Sequence, residues 1–206
     1  HYIYHVFTPE KRITLHKVME EETPSRKRVN YKEYAHEVAL YMEDEMTIKE
    51  KWIVHPGIRG ILFHVGSTNY FSLEPRFSMQ YNWTDRWETK ASYTLMSQYI
   101  HQLGSSTMNM PTDLWVPVSD DVKPMKSHQC VLGVYFHPCV RWHFSLEGFY
   151  KTQNHLLDDY NGVDITPEYA DWKENVHSGK GHSYGLEWMG QKTGGKTNGW
   201  INYTLS

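Results

Sequence analysis

Apolar and polar residues alternate with period two along much of the chain, the signature of strands with one apolar and one polar face. From Phe71 to Trp83 every odd position is apolar and every even position is polar, thirteen residues without a lapse. At about 3.3 Å per residue that run spans about 40 Å, far beyond the usual strand of about five or six residues. Trp87 to Tyr99 and Trp142 to Lys151 repeat the pattern, and weaker copies run through Tyr34–Thr47, Trp52–Val65, Lys126–His137, His182–Lys192 and Thr197–Leu205, with His1–Phe7 as the tail of one more. The pattern predicts nine strands, and no long amphipathic helix competes with them.

The connections fall into two kinds. Ile48–Lys51, Thr84–Arg86, Pro138–Arg141 and Thr193–Lys196 are short and rich in turn formers or charge, whereas Thr8–Glu33, His101–Pro124 and Gln153–Gly181 are long and polar, with Gly66–Tyr70 a short exception among them. The prediction is an all-β, antiparallel up-and-down meander. Short turns at one end and long loops at the other also describe a transmembrane barrel. Trp52, Trp83, Trp87 and Trp142 all stand beside short turns on the apolar parity, as an aromatic belt at a membrane interface requires, and Phe71, Tyr99 and Tyr150 are placed to form the opposite belt. Trp200 falls on the polar parity and has no account. The polar parity carries Glu43, Glu45, His55, Arg59, Glu74, Arg76, Glu88, Lys90, Glu147, Lys151 and Glu187, a solvated face or a wet lumen. The competing reading is a soluble all-β carbohydrate- or ligand-binding protein with its apolar faces packed together.

Composition sharpens this. The 206 residues include 15 Tyr, 8 Trp and 7 Phe, yet mean hydropathy is −0.66, as expected when alternation averages two unlike faces. No run approaches the roughly 20 apolar residues of a membrane helix. The net charge of −3 leaves no basic footprint for nucleic acid. Cys130 and Cys139 lie along one extended segment, too far apart for a disulfide if it is a strand. Nine strands are odd for a bacterial single-chain barrel and leave two open edges, so residues 1–206 are expected to be a contiguous arc of a larger barrel. His1 is not Met, and no secretory signal is visible, which is expected of a processed chain or a piece of a longer one.

The run Tyr70–Ser78, the segments Lys90–Tyr93 and Gln98–His101, Pro111–Pro117, Leu146–Lys151, Gly179–Glu187 and Gly199–Ser206 resemble the barrel of TonB-dependent outer-membrane receptors of the Bacteroidetes type, over about residues 34–206. The resemblance implies a 22-stranded barrel filled by an N-terminal plug domain, set in outer-membrane lipid, taking up a small nutrient such as an iron chelate, cobalamin, peptide or glycan, and driven by the TonB complex acting through the plug. Neither plug nor TonB-contacting segment has a counterpart here, and no enzymatic activity is implied.

Candidate chemistry is sparse. Thirteen histidines are scattered without a tight ligand spacing, so neither a metal site nor a cofactor is expected, although His137 and His143 straddle a short turn and could meet. Glu43 and Glu45 share a face, Asp158-Asp159 has no evident partner, Gly194-Gly195-Lys196 reads as a turn, and the sequons at Asn82 and Asn202 sit in predicted strands. Pro75 cannot donate to a ladder and predicts a bulge or locally broken pairing inside its strand. The loop His101–Pro124 is the candidate ligand contact, with Met108, Met110 and Trp115 beside Tyr99 and His101 offering adaptable apolar surface above a lumen.

Overall fold

The computed structural model describes residues 1–7, 32–103, 114–159 and 176–206. Its strands are β1 (Tyr2–Phe7), β2 (Glu33–Glu43), β3 (Met46–Ile48), β4 (Trp52–Val65), β5 (Thr68–Thr84), β6 (Trp87–Gln98), β7 (Ile100–Leu103), β8 (Leu114–Pro117), β9 (Met125–Cys139), β10 (Trp142–Asp159), β11 (Val176–Lys192) and β12 (Gly199–Leu205). The large sheet runs β1-β2-β4-β5-β6-β9-β10-β11-β12, every neighbour antiparallel, with β3 paired to β4. These are nine staves in chain order, and β1 and β12 do not pair with each other. No described helix is long and apolar enough to cross a membrane.

The expected strand Tyr34–Thr47 is divided into β2 and β3, but its register is unbroken: Glu43 faces Gly57 and Met46 faces Val54. The gap lies opposite Pro56, whose carbonyl accepts the Asp44 N–H at 3.0 Å and whose nitrogen has no hydrogen to return. Residues 153–159 and 176–181, read as loop, are instead the far ends of β10 and β11. There Leu157 and Val176 pack against Val116 and Val122 of the inward-folded segment, and a bulge shifts the parity, so the residues do not keep a simple alternation. His155 sits there at φ 58° as a bulge between the Asn154 and Leu156 pairings.

Parity decides the two faces. One carries Leu40 (75% exposed), Leu62, Phe71, Leu132, Leu146 and Leu186 in the open, with paired residues such as Leu62 and Phe71 side by side. The other carries Ser72, Glu74, Ser127 and Ser145, all buried, and the hollows described below. The polar face is therefore the concave one. An apolar outer surface of this extent is not that of a water-soluble monomer. At the turn end, the ring of Tyr81 lies 4.4 Å from Trp52 and 4.7 Å from Trp83, Trp87 stacks on Phe136 at 4.2 Å, and Phe144 bridges Phe136 and Trp142. The expected tryptophan belt is thus an aromatic band running over β4, β5, β6, β9 and β10. Phe71 and Tyr150 lie exposed toward the other end. Along β5, Phe71 and Trp83 are about 40 Å apart, which at a tilt of 35–45° projects to about 30 Å, close to the height of a barrel's lipid band.

Tyr99 departs from its predicted place in the upper belt. It is only 5% exposed and turned to the concave side. The cause is local. Beyond Arg76 and Thr94 the β5–β6 ladder stops at Pro75, as the missing N–H predicted, and β6 ends at Gln98. The chain then turns inward into the hairpin β7–β8, a two-stranded sheet of its own that sequence alternation did not reveal.

Candidate functional site

The hairpin β7–β8 folds over the concave face and creates most of the chain's core. Phe7, Ala35, Ala39, Ile61, Phe63 and Val65 from β1, β2 and β4 pack with Tyr99 and Val118 from the inward-folded segment. Alanines at 35 and 39 leave room for it. The Tyr99 ring stacks on Phe63 at 4.8 Å and 12°, its hydroxyl bonds Ser72 Oγ at 2.5 Å, and its carbonyl accepts the Val118 N–H at 2.8 Å. Tyr70 donates its hydroxyl to the Ser119 carbonyl. Ser119 closes the segment by accepting from and donating to the backbone of Val122.

Beneath the hairpin lies a hollow of about 430 Å³ lined by Glu37, Arg59, Tyr99, Ile100, Lys151 and Gln153 among others. Arg59 Nη2 donates to Glu37 Oε1 at 3.2 Å, and His5 Nε2 stands 3.8 Å from the other carboxylate oxygen. Lys151 lines the same hollow. A second hollow, about 550 Å³, is lined by Glu43, Asp44, Glu45, His55 and Arg76, with His55 Nδ1 3.7 Å from Glu45 Oε2. Nearer the turns, Glu88 gathers Gln80 at 2.9 Å, Lys90 at 3.0 Å and His137 at 3.8 Å. Lys90 also lies 4.6 Å over the Tyr135 ring. The concave face is thus a series of wet hollows with balanced charge, able to hold a polar solute by hydrogen bonds and ion pairs.

The candidate ligand residues separate. Tyr99 reaches the rim of the upper hollow. His101 is 5% exposed, its Nε2 has no hydrogen-bond partner, and burial pushes the imidazole down to about 4. It faces Val116 across the hairpin, while Trp115 is 53% exposed. Met108 and Met110 lie outside the described residues. His137 and His143 do meet, Nδ1 to Nδ1 at 2.7 Å. No three His, Cys, Asp or Glu side chains converge as a metal site among the described residues. Cys130 and Cys139 are free thiols on β9. Sequence reasoning missed Glu37, Gln153 and the pairing of Arg59: parity puts each on the wet face, but nothing in the sequence brings β2, β4 and β10 around one hollow.

Comparison with known proteins agrees with this architecture. The family described as TonB dependent receptor-like, beta-barrel, matches residues 6–206, and the chain belongs to it. That family places the chain in the bacterial outer membrane. No curated protein matches the sequence. Among solved structures, the FrpB iron transporter from Neisseria meningitidis (F3-3 variant) is similar with a TM-score of 0.61 at 14% identity, over 84% of this chain and 25% of that one. FpvA of P. aeruginosa, solved with heterologous pyoverdine, is similar with a TM-score of 0.52 at 11% identity, over 84% and 23%. The chain spans about a quarter of the length of these structures. At such identities the likeness is one of fold.

Proposed function

We propose that the chain is part of the wall and vestibule of a Bacteroidetes-type TonB-dependent receptor that takes up a small, scarce nutrient. The observation that carries this is the family match over residues 6–206 on a sheet whose convex face is apolar and belted and whose concave face is wet. The similar solved structures are described as an iron transporter and as FpvA bound to a pyoverdine–iron complex, which supports a polar chelate among the candidate ligands without separating it from cobalamin, a peptide or a glycan. A plug domain inside a larger barrel, worked by the TonB complex, is the partner arrangement this reading requires. The wall itself performs no bond chemistry. The upper hollow is the ligand vestibule, with Tyr99 at its rim; Met108 and Met110 are candidate contacts on sequence grounds alone, and Trp115 stands exposed on the inward-folded loop. His101 supports that loop from within.

The test uses the full-length receptor in its own outer membrane. Cells limited for each candidate nutrient should lose uptake when the receptor gene is deleted and when TonB is inactivated, and regain it with the wild-type gene. A receptor absent from the outer-membrane fraction, or without heat-modifiable mobility on a gel, would overturn the reading.

A further inference from the structure

The convex face has a charge pattern that uptake does not explain. On the staves from β1 to β12, as far as the bulge at His155, the ladder-paired residues of outward parity include no Asp or Glu. The outward cations are few and placed. Lys192 lies at the turn end, 5.8 Å over the Trp142 ring. The other two, Lys126 and Lys180, lie at the loop end on either side of Asn154: Asn154 pairs with Lys126 on one side and with Lys180 on the other. In the adjacent outward row, Thr152 stands between His128 and His182 in the same way. With strands about 4.8 Å apart and outward residues about 6.7 Å apart along a strand, the four side chains start from the corners of a patch of about 10 by 7 Å with an amide and a hydroxyl at its centre.

Lys126 and Lys180 are exposed and have no ion pair within the described structure. His128 is oriented by the Tyr93 hydroxyl, 2.9 Å from its Nδ1, so that Nε2 is left to a ligand, and His182 stacks along Tyr184 at 6.4 Å. The patch sits immediately on the loop side of Tyr150 and Tyr184, themselves paired and exposed. In a barrel with long loops outside, that is the headgroup level of the outer leaflet. Two ammoniums with no acidic neighbour among the described side chains of that face below the bulge complement a di-anion, and the apolar surface below them complements acyl chains.

We propose that this patch on β9, β10 and β11 binds the phosphorylated headgroup of an outer-leaflet glycolipid, whose chains lie against the convex face. The inference rests on the barrel reading above. The test compares full-length receptor with its Lys126→Gln, Lys180→Gln double variant in detergent micelles, by native mass spectrometry and by titration with diphosphoryl lipid A, its dephosphorylated form and inorganic phosphate. The double variant should bind diphosphoryl lipid A about thirtyfold more weakly, while Lys192→Gln binds like wild type. Heat-modifiable mobility retained by each variant shows that the barrel has formed. Equal binding by wild type and double variant, equal binding of the dephosphorylated lipid, or occupancy by inorganic phosphate as tight as by the lipid overturns the proposal. Failure of the wild-type receptor to enter the outer membrane overturns the barrel reading instead.

Discussion

Glu74 Oε1 accepts the backbone N–H of Ser97 at 2.7 Å, at the point where Pro75 has ended the β5–β6 ladder. The carboxylate is 2% exposed. A side chain from one strand thus satisfies a donor of the next that the ladder has abandoned, and the opened seam is where the chain turns inward. Glu74→Leu should therefore cost about 1–3 kcal/mol by leaving that N–H unsatisfied, whereas Glu74→Gln keeps an acceptor and should cost less than half as much. Thermal unfolding of the purified receptor compares the two; equal losses would show that the acceptor does not matter.

Tyr99 fastens the inward-folded segment by stacking on Phe63 and bonding Ser72. Tyr99→Phe should lose about 1 kcal/mol, and Tyr99→Ala about 3–5 kcal/mol. Because the ring also borders the upper hollow, Tyr99→Ala should weaken nutrient binding by far more than Tyr99→Phe, as measured by titration of the detergent-solubilised receptor.

His101 gives the same segment a pH dependence. Its folded pKa is depressed by burial from 6.5 to about 4, so the neutral form is favoured in the folded hairpin. The associated stability is fully present above pH 6.5 and is lost as pH falls from there toward 4, because the unfolded segment takes up a proton that the folded one refuses. Hydrogen exchange of β7 and β8 should accelerate over that window in wild type beyond the change seen in His101→Leu.

Ala91 and Ser92 are neighbours on opposite faces of β6: Ala91 pairs with Met79 and Leu132 on the convex face, and Ser92 lines the wet hollows. Ala91→Arg should cost about 2–4 kcal/mol in the bilayer and Ser92→Arg less than about 1 kcal/mol. Refolding into lipid vesicles at graded denaturant measures both, and equal costs would contradict the assignment of faces.

The turn from β3 to β4 places Lys49 at φ 51° and Glu50 at φ 58°, values that side chains with a Cβ adopt at a cost. The double substitution Lys49→Asn, Glu50→Gly supplies the residue types that tolerate such a turn and should stabilise the hairpin by about 1 kcal/mol, read as a higher unfolding midpoint.

By itself the sequence determined the nine staves, their order, their two faces and the tryptophan belt, because lipid on one side and water on the other force each residue of a membrane strand to declare its face with period two. Phe71 to Trp83 could be read residue by residue for that reason, and Pro75 announced the broken ladder because a missing N–H is a property of the residue alone. Beyond Thr152 on β10 and before His182 on β11 a bulge shifts the parity and Leu157 and Val176 pack on Val116 and Val122 of a distant segment, so the strand ends were legible only in the structure. The inward fold of Tyr99, the hairpin β7–β8 and the hollow joining Glu37, Arg59 and Lys151 were decided by tertiary structure: each depends on contacts between residues tens of positions apart, set by the curvature of the sheet and the small side chains of Ala35 and Ala39. The basic patch is of the same kind. Lys126 and Lys180 are ordinary in sequence, and only the register through Asn154 puts them side by side.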